Sequence, residues 1–281
     1  MDDRAYSMSG RTVLVTGSTD GIGRETAERL AALGAEVLVH GRDRRRGAAA
    51  LAAVRAASPS GSGALYLADL STVDGTRAFA VQVRRDHPVL DVLLANAGVY
   101  AAQRKLTPDG MELTFAVNVV APIVLADALL PALRAAAPAR VVVVSSASHW
   151  TGAMHWDDLQ FSAPDAYDGL AAYDQSKLAI ALLTFELSRR LEGAGVSAVC
   201  LDPGDVDTKL LREGWPELPG VSIADGAATS VYLASSPEAD GLSGVYFEDG
   251  RETRPLEAAL DRDAQLRIWA EVERLAGQKL V

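Results

Sequence analysis

One stretch near the start of the chain constrains the fold most strongly: a short apolar run, then three glycines, then a helical pattern. Residues 12–16 are β-branched and aliphatic, which is typical of a buried parallel strand. Glycines follow at positions 17, 21 and 23, and residues 24–33 have the spacing of a helix. Such a succession brings backbone N–H groups and a helix N-terminus to face a pyrophosphate. A glycine trio also occurs in ordinary tight turns, so the rest of the chain has to decide between the two interpretations.

Strands alternate with helices along the remaining chain. The strand segments are near-continuous aliphatic runs, and we place them at residues 12–16, 34–40, 64–68, 91–95, 140–144, 197–201 and 244–247. Helical patterns lie between and after them, at residues 24–33, 44–58, 71–86, 109–133, 171–191, 224–235 and 257–275. The alternation predicts an α/β fold: a single-domain, doubly wound (Rossmann-type) parallel sheet of about seven strands with helices on both faces. No linker or internal repeat divides the chain, so we expect one domain over residues 1–281, with its core at 10–250 and a C-terminal helical segment at 251–281.

Composition and charge exclude several classes of protein. The chain has 281 residues and a formal net charge of −10, which argues against a nucleic-acid partner because phosphate backbones require a basic face. Its single cysteine, Cys200, cannot form an internal disulfide, as is usual in a reducing compartment. Residues 1–10 lack the apolar core of a signal peptide, and the longest purely aliphatic run, residues 141–144, is far shorter than a membrane span. We therefore expect a cytoplasmic protein with no nucleic-acid or membrane partner.

Polar or turn-forming residues follow directly after the predicted strands. They are Gly17, Arg42, Asp69, Asn96, Ser146 and Pro203. Ligands of open parallel sheets bind at the carboxyl ends of the strands, so these residues are candidates for a ligand site. Loops between strands and helices are polar in general, which explains the polarity of the set but not its particular composition.

Tyr173 and Lys177 are four residues apart within a predicted helix. Side chains at this spacing share one helix face, so the Tyr173 hydroxyl and the Lys177 amine can reach the same cavity. The Tyr-x-x-x-Lys pattern is common by chance, and alone it indicates surface residues more readily than a site. Its meaning depends on Ser146 after the fifth strand and on the glycine turn.

Together these motifs resemble those of the short-chain dehydrogenase/reductase superfamily. The resemblance covers residues 10–250 and rests on Thr-Gly-x-x-x-Gly-x-Gly at 16–23, on Ser146 and on the Tyr173/Lys177 pair. The tail at 261–277 is further similar to the retinol-dehydrogenase-like and protochlorophyllide-reductase-like group. The family implies an oxidoreductase that passes hydride between a nicotinamide cofactor and a carbonyl or alcohol. It also implies pairing of subunits through long helices, which makes 109–133 and 171–191 candidate surfaces of a homodimer or homotetramer.

The resemblance assigns four catalytic residues, Asn118, Ser146, Tyr173 and Lys177. Tyr173 would be the acid–base group, and Ser146 would hold the substrate oxygen. A tyrosine has an ordinary pKa of about 10, and a lysine ammonium together with a nicotinium ring can lower it electrostatically. Pro122 has no N–H, so the backbone carbonyl of Asn118 loses its helical partner, and a water bound there could relay protons to Lys177.

Cofactor contacts follow from the same resemblance. They are Gly17, Ser18, Thr19, Asp20, Gly21, Ile22, Gly23, Arg42, Asp69, Leu70, Asn96, Ala97, Gly98, Tyr173, Lys177, Pro203, Gly204, Val206 and Thr208. The family's Asn-Asn-Ala-Gly turn begins with Ala95 here, and this departure puts one structural hydrogen bond of the turn in doubt.

NADP(H) is the preferred cofactor in this interpretation, with NAD(H) as the alternative. An NAD-dependent dehydrogenase places a carboxylate at the end of its second strand, where this chain has Gly41. Arg42 follows, and a guanidinium can hold a 2′-phosphate with two parallel hydrogen bonds. Arg42 also belongs to a run of arginines that are otherwise expected to be solvated. Asp43 beside it and Asp20 in the glycine turn oppose the preference.

Two loops carry the information about the substrate. Residues 148–170 follow Ser146, residues 209–223 follow the turn at the nicotinamide, and both are rich in large apolar side chains. Such loops beside a cofactor predict a lid over a bulky, apolar substrate. We expect substrate contacts from Ser146, His149, Trp150 and Trp215.

Other features of these loops have plainer explanations. Trp156 and Phe161 could equally anchor their loop on the core. His149 and His155 lack further ligands at metal-binding spacing, so no metal site is expected.

The sequence thus predicts an NADP(H)-dependent oxidoreductase of ketoreductase type, which interconverts a carbonyl and an alcohol on a hydrophobic small molecule. Two alternatives stay open. A sugar-nucleotide epimerase of the extended relatives would have a different glycine spacing and a larger C-terminal domain. A non-catalytic dinucleotide sensor would need the fold but not the set of Ser146, Tyr173 and Lys177.

Overall fold

The computed structural model of the chain describes residues 6–163 and 167–281. Within them one sheet contains the strands β1 (Thr12–Val15), β2 (Glu36–Gly41), β3 (Ala64–Leu67), β4 (Val92–Ala95), β5 (Ala139–Val144), β6 (Val196–Asp202), β7 (Tyr246–Glu248) and β8 (Arg251–Thr253). Their order is β3-β2-β1-β4-β5-β6-β7-β8, and all neighbours are parallel except the last pair. The chain thus begins in the middle of the sheet and winds outward in both directions, which confirms the predicted doubly wound fold.

The sheet has eight strands instead of the expected seven or so, because β7 and β8 form a hairpin at its edge. The chain leaves β7 at Glu248, turns at Asp249 and Gly250, and returns from Arg251 as β8. Both turn residues have positive φ, +50° and +71°, which is the conformation of a tight two-residue hairpin. The Asp-Gly pair at this turn is itself a hairpin signal in the sequence.

The helices cover both faces of the sheet. They are α1 (Gly21–Ala32), α2 (Arg44–Ala57), α3 (Val73–Asp86), α4 (Leu113–Phe115), α5 (Ala121–Ala136), α6 (Gly169–Arg190), α7 (Lys209–Gly214), α8 (Ile223–Ser235) and α9 (Arg262–Ala276). One hydrophobic core lies between the sheet and α1, α2 and α8, and the other between the sheet and α3, α5, α6 and α9. Alternate strand residues enter opposite cores, as Val141 and Val142 of β5 do, which is why the strands are apolar throughout.

The segment expected to be one helix over 109–133 is instead broken by a π-helical turn. Helix α4 begins only at Leu113, because the Glu112 carboxylate caps it by accepting hydrogen bonds from the Thr114 and Phe115 amides. The chain then widens into a π-helix at Ala116–Val120 before α5 begins. Pro122 lies in the first turn of α5 and cannot donate a hydrogen bond to the Asn118 carbonyl, which accounts for a wider turn at this point.

The combined helical segment Leu113–Ala136 is long and apolar enough to cross a membrane by length and composition. Its most apolar window has a mean hydropathy of 2.1, and 83% of that window is buried inside the protein. The burial is that of a core helix, packed between the sheet and its neighbours.

Helix α6 is surrounded by its own chain. Every residue from 175 to 188 is buried, and α9 packs along the helix through Trp269, which is 1% exposed. The Arg190 guanidinium lies 4.3 Å from the Trp269 ring, and the Glu186 carboxylate pairs with Arg190 and with Arg262 of α9. The expectation that 171–191 offers a surface for a second subunit is therefore wrong for this stretch, because the C-terminal helix already occupies it.

Candidate active site

A cavity of about 940 Å³ lies at the carboxyl edge of the sheet. The strand-to-helix loops converge there, so the cavity collects residues that are far apart in the chain. All predicted cofactor residues except Ser18 line it, and so do Ser146 and Trp215. The structure therefore brings the glycine turn, the Tyr173/Lys177 pair and the end of β6 to one site.

The glycine turn is packed so closely that side chains would not fit. A Cβ at Gly17 would lie 2.9 Å from the Ala97 Cα, and one at Gly23 would lie 2.3 Å from the Asn96 Nδ2. The Asn96 side chain donates a hydrogen bond of 2.8 Å to the Thr16 carbonyl, which ties the turn to the end of β4. The result is a cradle of backbone at the N-terminus of α1, the arrangement that receives a pyrophosphate.

Two arginines stand beside the cradle at the end of β2. Arg42 and Arg46 both line the cavity and are exposed. Asp43 caps α2 by accepting a hydrogen bond of 2.7 Å from the Arg46 amide, which sets Arg46 one helical turn beyond Arg42. The Arg46 guanidinium also pairs with Asp20 of the glycine turn at 2.6 Å. Arg46 was not singled out from the sequence, although the cap spacing after Asp43 was a usable signal.

Ser146, Tyr173 and Lys177 form one part of the cavity wall. Ser146 follows β5, and its hydroxyl is close enough to the Tyr173 side chain to favour the phenolate. The Lys177 Nζ lies 5.4 Å from the centre of the Tyr173 ring and donates a hydrogen bond of 3.1 Å to the Val144 carbonyl. One turn of helix α6 thus carries a phenol and an amine toward a serine at the neighbouring strand end.

Asn118 lies next to this group but does not line the cavity. Its side-chain Oδ1 accepts a hydrogen bond of 2.8 Å from the Val99 amide, and its Nδ2 donates to the Val99 carbonyl and to the Ser176 hydroxyl. A Cβ at Gly98 would sit 3.5 Å from the Asn118 Oδ1 and 3.8 Å from the Lys177 Nζ. The side chain fixes the loop after β4, and the predicted water relay at its carbonyl stays a prediction.

Comparisons with known proteins agree with this geometry. The family described as short chain dehydrogenase matches residues 11–159. Retinol dehydrogenase 14 of Homo sapiens is 39% identical over 295 residues, which cover 96% of this chain and 87% of that protein. Polyprenol dehydrogenase of Mus musculus is 40% identical over 286 residues, with 95% and 84% covered. A short chain dehydrogenase from Burkholderia cenocepacia, solved in complex with NADP, has a TM-score of 0.69 at 28% identity and covers 86% of this chain and 98% of its own.

This chain is a short-chain dehydrogenase. It belongs to the retinol-dehydrogenase-like group of that family, as the C-terminal tail predicted. It is therefore an oxidoreductase that binds a nicotinamide dinucleotide and acts on a small-molecule carbonyl or alcohol.

The protonation state of the dehydrogenase's tyrosine differs from the expectation. Burial raises the pKa of Tyr173 above its ordinary value, and the nearby Ser146 hydroxyl offsets only part of the rise. Burial lowers the pKa of Lys177 to about 8. The expected lowering of the Tyr173 pKa is thus not produced by the side chains that the structure describes, because desolvation of the phenolate outweighs them.

Three predicted contacts of the dehydrogenase lie outside the cavity. Ser18 is fully buried, and its hydroxyl donates a hydrogen bond of 2.7 Å to the Val15 carbonyl within the turn. His149 is also fully buried, in a short 3₁₀ helix that turns its ring away from the cavity, and its Nδ1 bonds the Ser146 carbonyl at 2.8 Å. Trp150 is 43% exposed and does not line the cavity. The structure does not bring these three residues to the cavity wall, and the contacts of Ser18 with the cofactor and of His149 and Trp150 with the substrate stay predictions.

An aromatic wall of the dehydrogenase lies beside Tyr173. The Trp215 ring lies 5.2 Å from the Tyr173 ring, and Tyr100 lies 5.7 Å from Trp215 and 6.2 Å from Tyr173. Leu113, Val117, Leu210 and Leu211 line the same side of the cavity. Sequence reasoning did not single out Tyr100. The only signal was its position two residues after the Asn-Ala-Gly turn.

The segment expected to form a lid, residues 209–223, is partly ordered by its own contacts. It begins with helix α7, and its end is bound to the loop after β6 by backbone hydrogen bonds between Val221 and Asp207 and between Val221 and Asp205. Trp215 lies between these two fixed points and reaches the cavity. Its mobility stays a prediction.

Proposed function

We propose that this dehydrogenase uses NADP(H) to interconvert a carbonyl and a primary or secondary alcohol on a hydrophobic small molecule, with Tyr173 as the acid–base group. The observation that carries the proposal is the meeting of two surfaces at Tyr173. The backbone cradle for a dinucleotide and an apolar aromatic wall line the same cavity as Tyr173, and the Trp215 ring of that wall lies 5.2 Å from the Tyr173 ring. A substrate carbonyl placed between them touches both the cofactor side and the phenol.

In the direction of reduction, the carbonyl carbon would receive a hydride, which is the chemistry that a nicotinamide cofactor supplies when bound. The Ser146 hydroxyl donates a hydrogen bond to the carbonyl oxygen and holds it against Tyr173. The phenol then donates its proton to the oxygen as negative charge develops there. The raised pKa of Tyr173 suits this role, because the phenol is protonated at neutral pH before the reaction begins.

Lys177 acts on the phenolate that the transfer leaves behind. Its amine, 5.4 Å from the ring centre, is held by the Val144 carbonyl and does not compete for the phenol oxygen. In a buried site a cation at this distance stabilises the phenolate more strongly than it would in water. Its pKa of about 8 leaves most of the amine charged at neutral pH.

The preference for NADP(H) rests on the two arginines at the end of β2. Gly41 takes the position at which an NAD-dependent enzyme has a carboxylate, and a Cβ there would lie 2.3 Å from the Thr19 Cγ2. Arg42 is exposed at the cavity and free to approach a 2′-phosphate with two parallel hydrogen bonds. Arg46 adds positive charge, part of which Asp20 neutralises.

The aromatic wall favours a long or flat apolar substrate. Tyr100 and Trp215 offer ring faces for the substrate's body, and leucine and valine side chains complete the surface. Relatives named for retinol and for polyprenol are similar over nearly the whole chain, which supports an isoprenoid alcohol or aldehyde here.

The experiment that tests the proposal is turnover with a matched substrate panel. Purified protein is mixed with NADPH and with isoprenoid aldehydes of increasing length, and with short polar aldehydes as controls. The proposal predicts that kcat/KM rises with apolar length by tenfold or more over the panel. Equal kcat/KM for polar and apolar aldehydes would contradict the substrate class, and no turnover with any carbonyl or alcohol would contradict the reaction.

A further inference from the structure

His40 is buried beneath the glycine turn and takes no part in the chemistry proposed above. It stands near the end of β2 and is 3% exposed. Its ring Nδ1 accepts a hydrogen bond of 3.1 Å from the Gly17 amide, the first glycine of the turn. The ring also packs on Phe79 of α3, with 4.7 Å between the ring centres, so its orientation is fixed from the opposite side.

The backbone of His40 is bound to the same turn. The Ser18 amide donates to the His40 carbonyl at 3.0 Å, and the His40 amide donates to the Ser18 hydroxyl at 3.0 Å. These two bonds need only a peptide group at position 40. The bond from the Gly17 amide, in contrast, needs a side chain with a hydrogen-bond acceptor at the position of the His40 Nδ1, and the imidazole provides this acceptor.

The Gly17 amide depends on that acceptor. Gly17 has a φ of +67°, and Ala97 lies so close that a Cβ at position 17 would be 2.9 Å from its Cα. A buried N–H without a partner is costly, so loss of the acceptor would drive the turn toward other conformations. The apparent affinity for the cofactor is the intrinsic affinity multiplied by the fraction of molecules in the binding conformation, so it falls as that fraction falls.

The ring can accept this bond only while Nδ1 carries no proton. Burial lowers the pKa of His40 to about 4, and Arg42 acts in the same direction. The Ala68 carbonyl and the Asp69 carboxylate, both after β3, oppose the lowering to a smaller extent. Phe79 of α3 and the Gly17 amide carry no charge, so the ring is neutral near pH 7 and keeps its proton on Nε2.

We propose that His40 is a positioning residue of the cofactor site, whose ring nitrogen holds the Gly17 amide and keeps the glycine turn in the conformation that receives the pyrophosphate. The proposal rests on the proposed function, because it assumes that the turn binds NADP(H). It assigns His40 to cofactor affinity and not to proton transfer at Tyr173.

The test compares two substitutions of similar size. His40→Asn keeps an acceptor, since the asparagine Oδ1 can occupy the place of the histidine Nδ1, whereas His40→Leu removes it. The Kd of NADPH is measured directly by the change in its fluorescence on binding, together with KM for NADPH and kcat. We expect the Kd and KM of His40→Leu to rise tenfold or more while kcat at saturating NADPH changes less than threefold. His40→Asn should stay within threefold of the wild-type Kd.

Each other outcome overturns the assignment. If His40→Leu binds NADPH as the wild type does, the ring bond has no role in affinity. If His40→Asn binds as weakly as His40→Leu, the loss comes from packing and not from the acceptor. The direct Kd separates this proposal from the proposed function: a wild type that binds NADPH but reduces no carbonyl contradicts the reaction alone, whereas one that binds no dinucleotide contradicts both.

Discussion

Asp20 and Arg46 form an ion pair at the cofactor cavity, with 2.6 Å between the Asp20 Oδ2 and the Arg46 Nη2. The pair joins the N-terminus of α1, which Asp20 caps, to the first turn of α2. Both side chains are more than half exposed, at 62% and 52%, so the pair contributes little to stability. The pair matters for cofactor binding instead. The Asp20 carboxylate repels a 2′-phosphate, and it neutralises part of the charge of one of the two arginines.

Asp20→Asn should strengthen the preference for NADPH. Asparagine caps a helix as well as aspartate does, so the substitution removes the charge and leaves α1 in place. We expect the ratio of kcat/KM for NADPH over NADH to rise by roughly three- to tenfold, equivalent to about 0.7–1.4 kcal/mol. Glu28→Gln is the matched control on the same helix, since Glu28 pairs with Arg24 and does not line the cavity. A ratio that falls, or that rises equally in both variants, would contradict the role of the Asp20–Arg46 pair.

Arg42→Ala should weaken the same preference. A guanidinium that grips the phosphate directly accounts for a tenfold or larger loss in the NADPH/NADH ratio, or about 1.4 kcal/mol. Arg45→Ala provides the control within the same arginine run, because Arg45 is exposed but does not line the cavity. An unchanged ratio in Arg42→Ala, or a wild type that prefers NADH, would remove Arg42 from the site.

Lys177→Met should stabilise the fold while it abolishes activity. The folded-state pKa of about 8, against an ordinary 10.5, means that burial of the charged amine costs roughly 3 kcal/mol below pH 8. The Val144 carbonyl loses its hydrogen-bond donor in the variant, which costs about 1–3 kcal/mol and offsets much of the gain. We expect a net increase of about 1 kcal/mol in the free energy of unfolding at pH 7, measured by urea denaturation.

The pH dependence of that gain gives a sharper check. The unfolded chain binds more protons at Lys177 than the folded chain does between pH 8 and 10.5, so wild-type stability at this group rises with pH over that window. The advantage of Lys177→Met should therefore shrink as the pH rises from 8 toward 10.5. If Lys177→Met is no more stable than the wild type at pH 7, or if its extra stability grows above pH 8, the buried Lys177 ammonium does not destabilise the fold.

Tyr100→Leu should raise the KM of long apolar substrates about fivefold or more while kcat changes less. The substitution removes the ring that packs against Trp215 at 5.7 Å and flanks Tyr173, and aromatic contacts of this kind contribute about 1 kcal/mol. Tyr100→Phe keeps the ring and serves as the control, with an unchanged KM expected. Equal effects of both variants would point to the Tyr100 hydroxyl instead of the aromatic surface.

The sequence predicted the residues whose positions follow from strand ends. Gly17, Asp69, Asn96, Ser146 and Pro203 each stand within two residues of the end of a parallel strand. Parallel strands end at one edge of the sheet, so the meeting of these residues required no knowledge of packing. The same reasoning placed Tyr173 and Lys177 on one face of a helix.

The sequence was less informative where tertiary contacts decide the direction of a side chain. His149 follows Ser146 by three residues, yet a 3₁₀ turn points its ring at the Ser146 carbonyl and at Tyr246 of β7, a residue far along the chain. Tyr100 enters the cavity because the Asn118 side chain fixes the neighbouring Val99, which no periodicity reveals. The burial of α6 likewise depends on α9 and could not be read from α6 itself.

Tyr173→Phe tests the central claim most directly, since it removes one oxygen and leaves the ring that packs against Trp215. The measurement is kcat for carbonyl reduction, with the Kd of NADPH determined on the same sample. Loss of the proton donor should lower kcat by about 10²–10⁴-fold while the Kd stays within threefold of the wild type. A variant that turns over at a rate near that of the wild type would contradict the assignment of Tyr173 as the acid–base group.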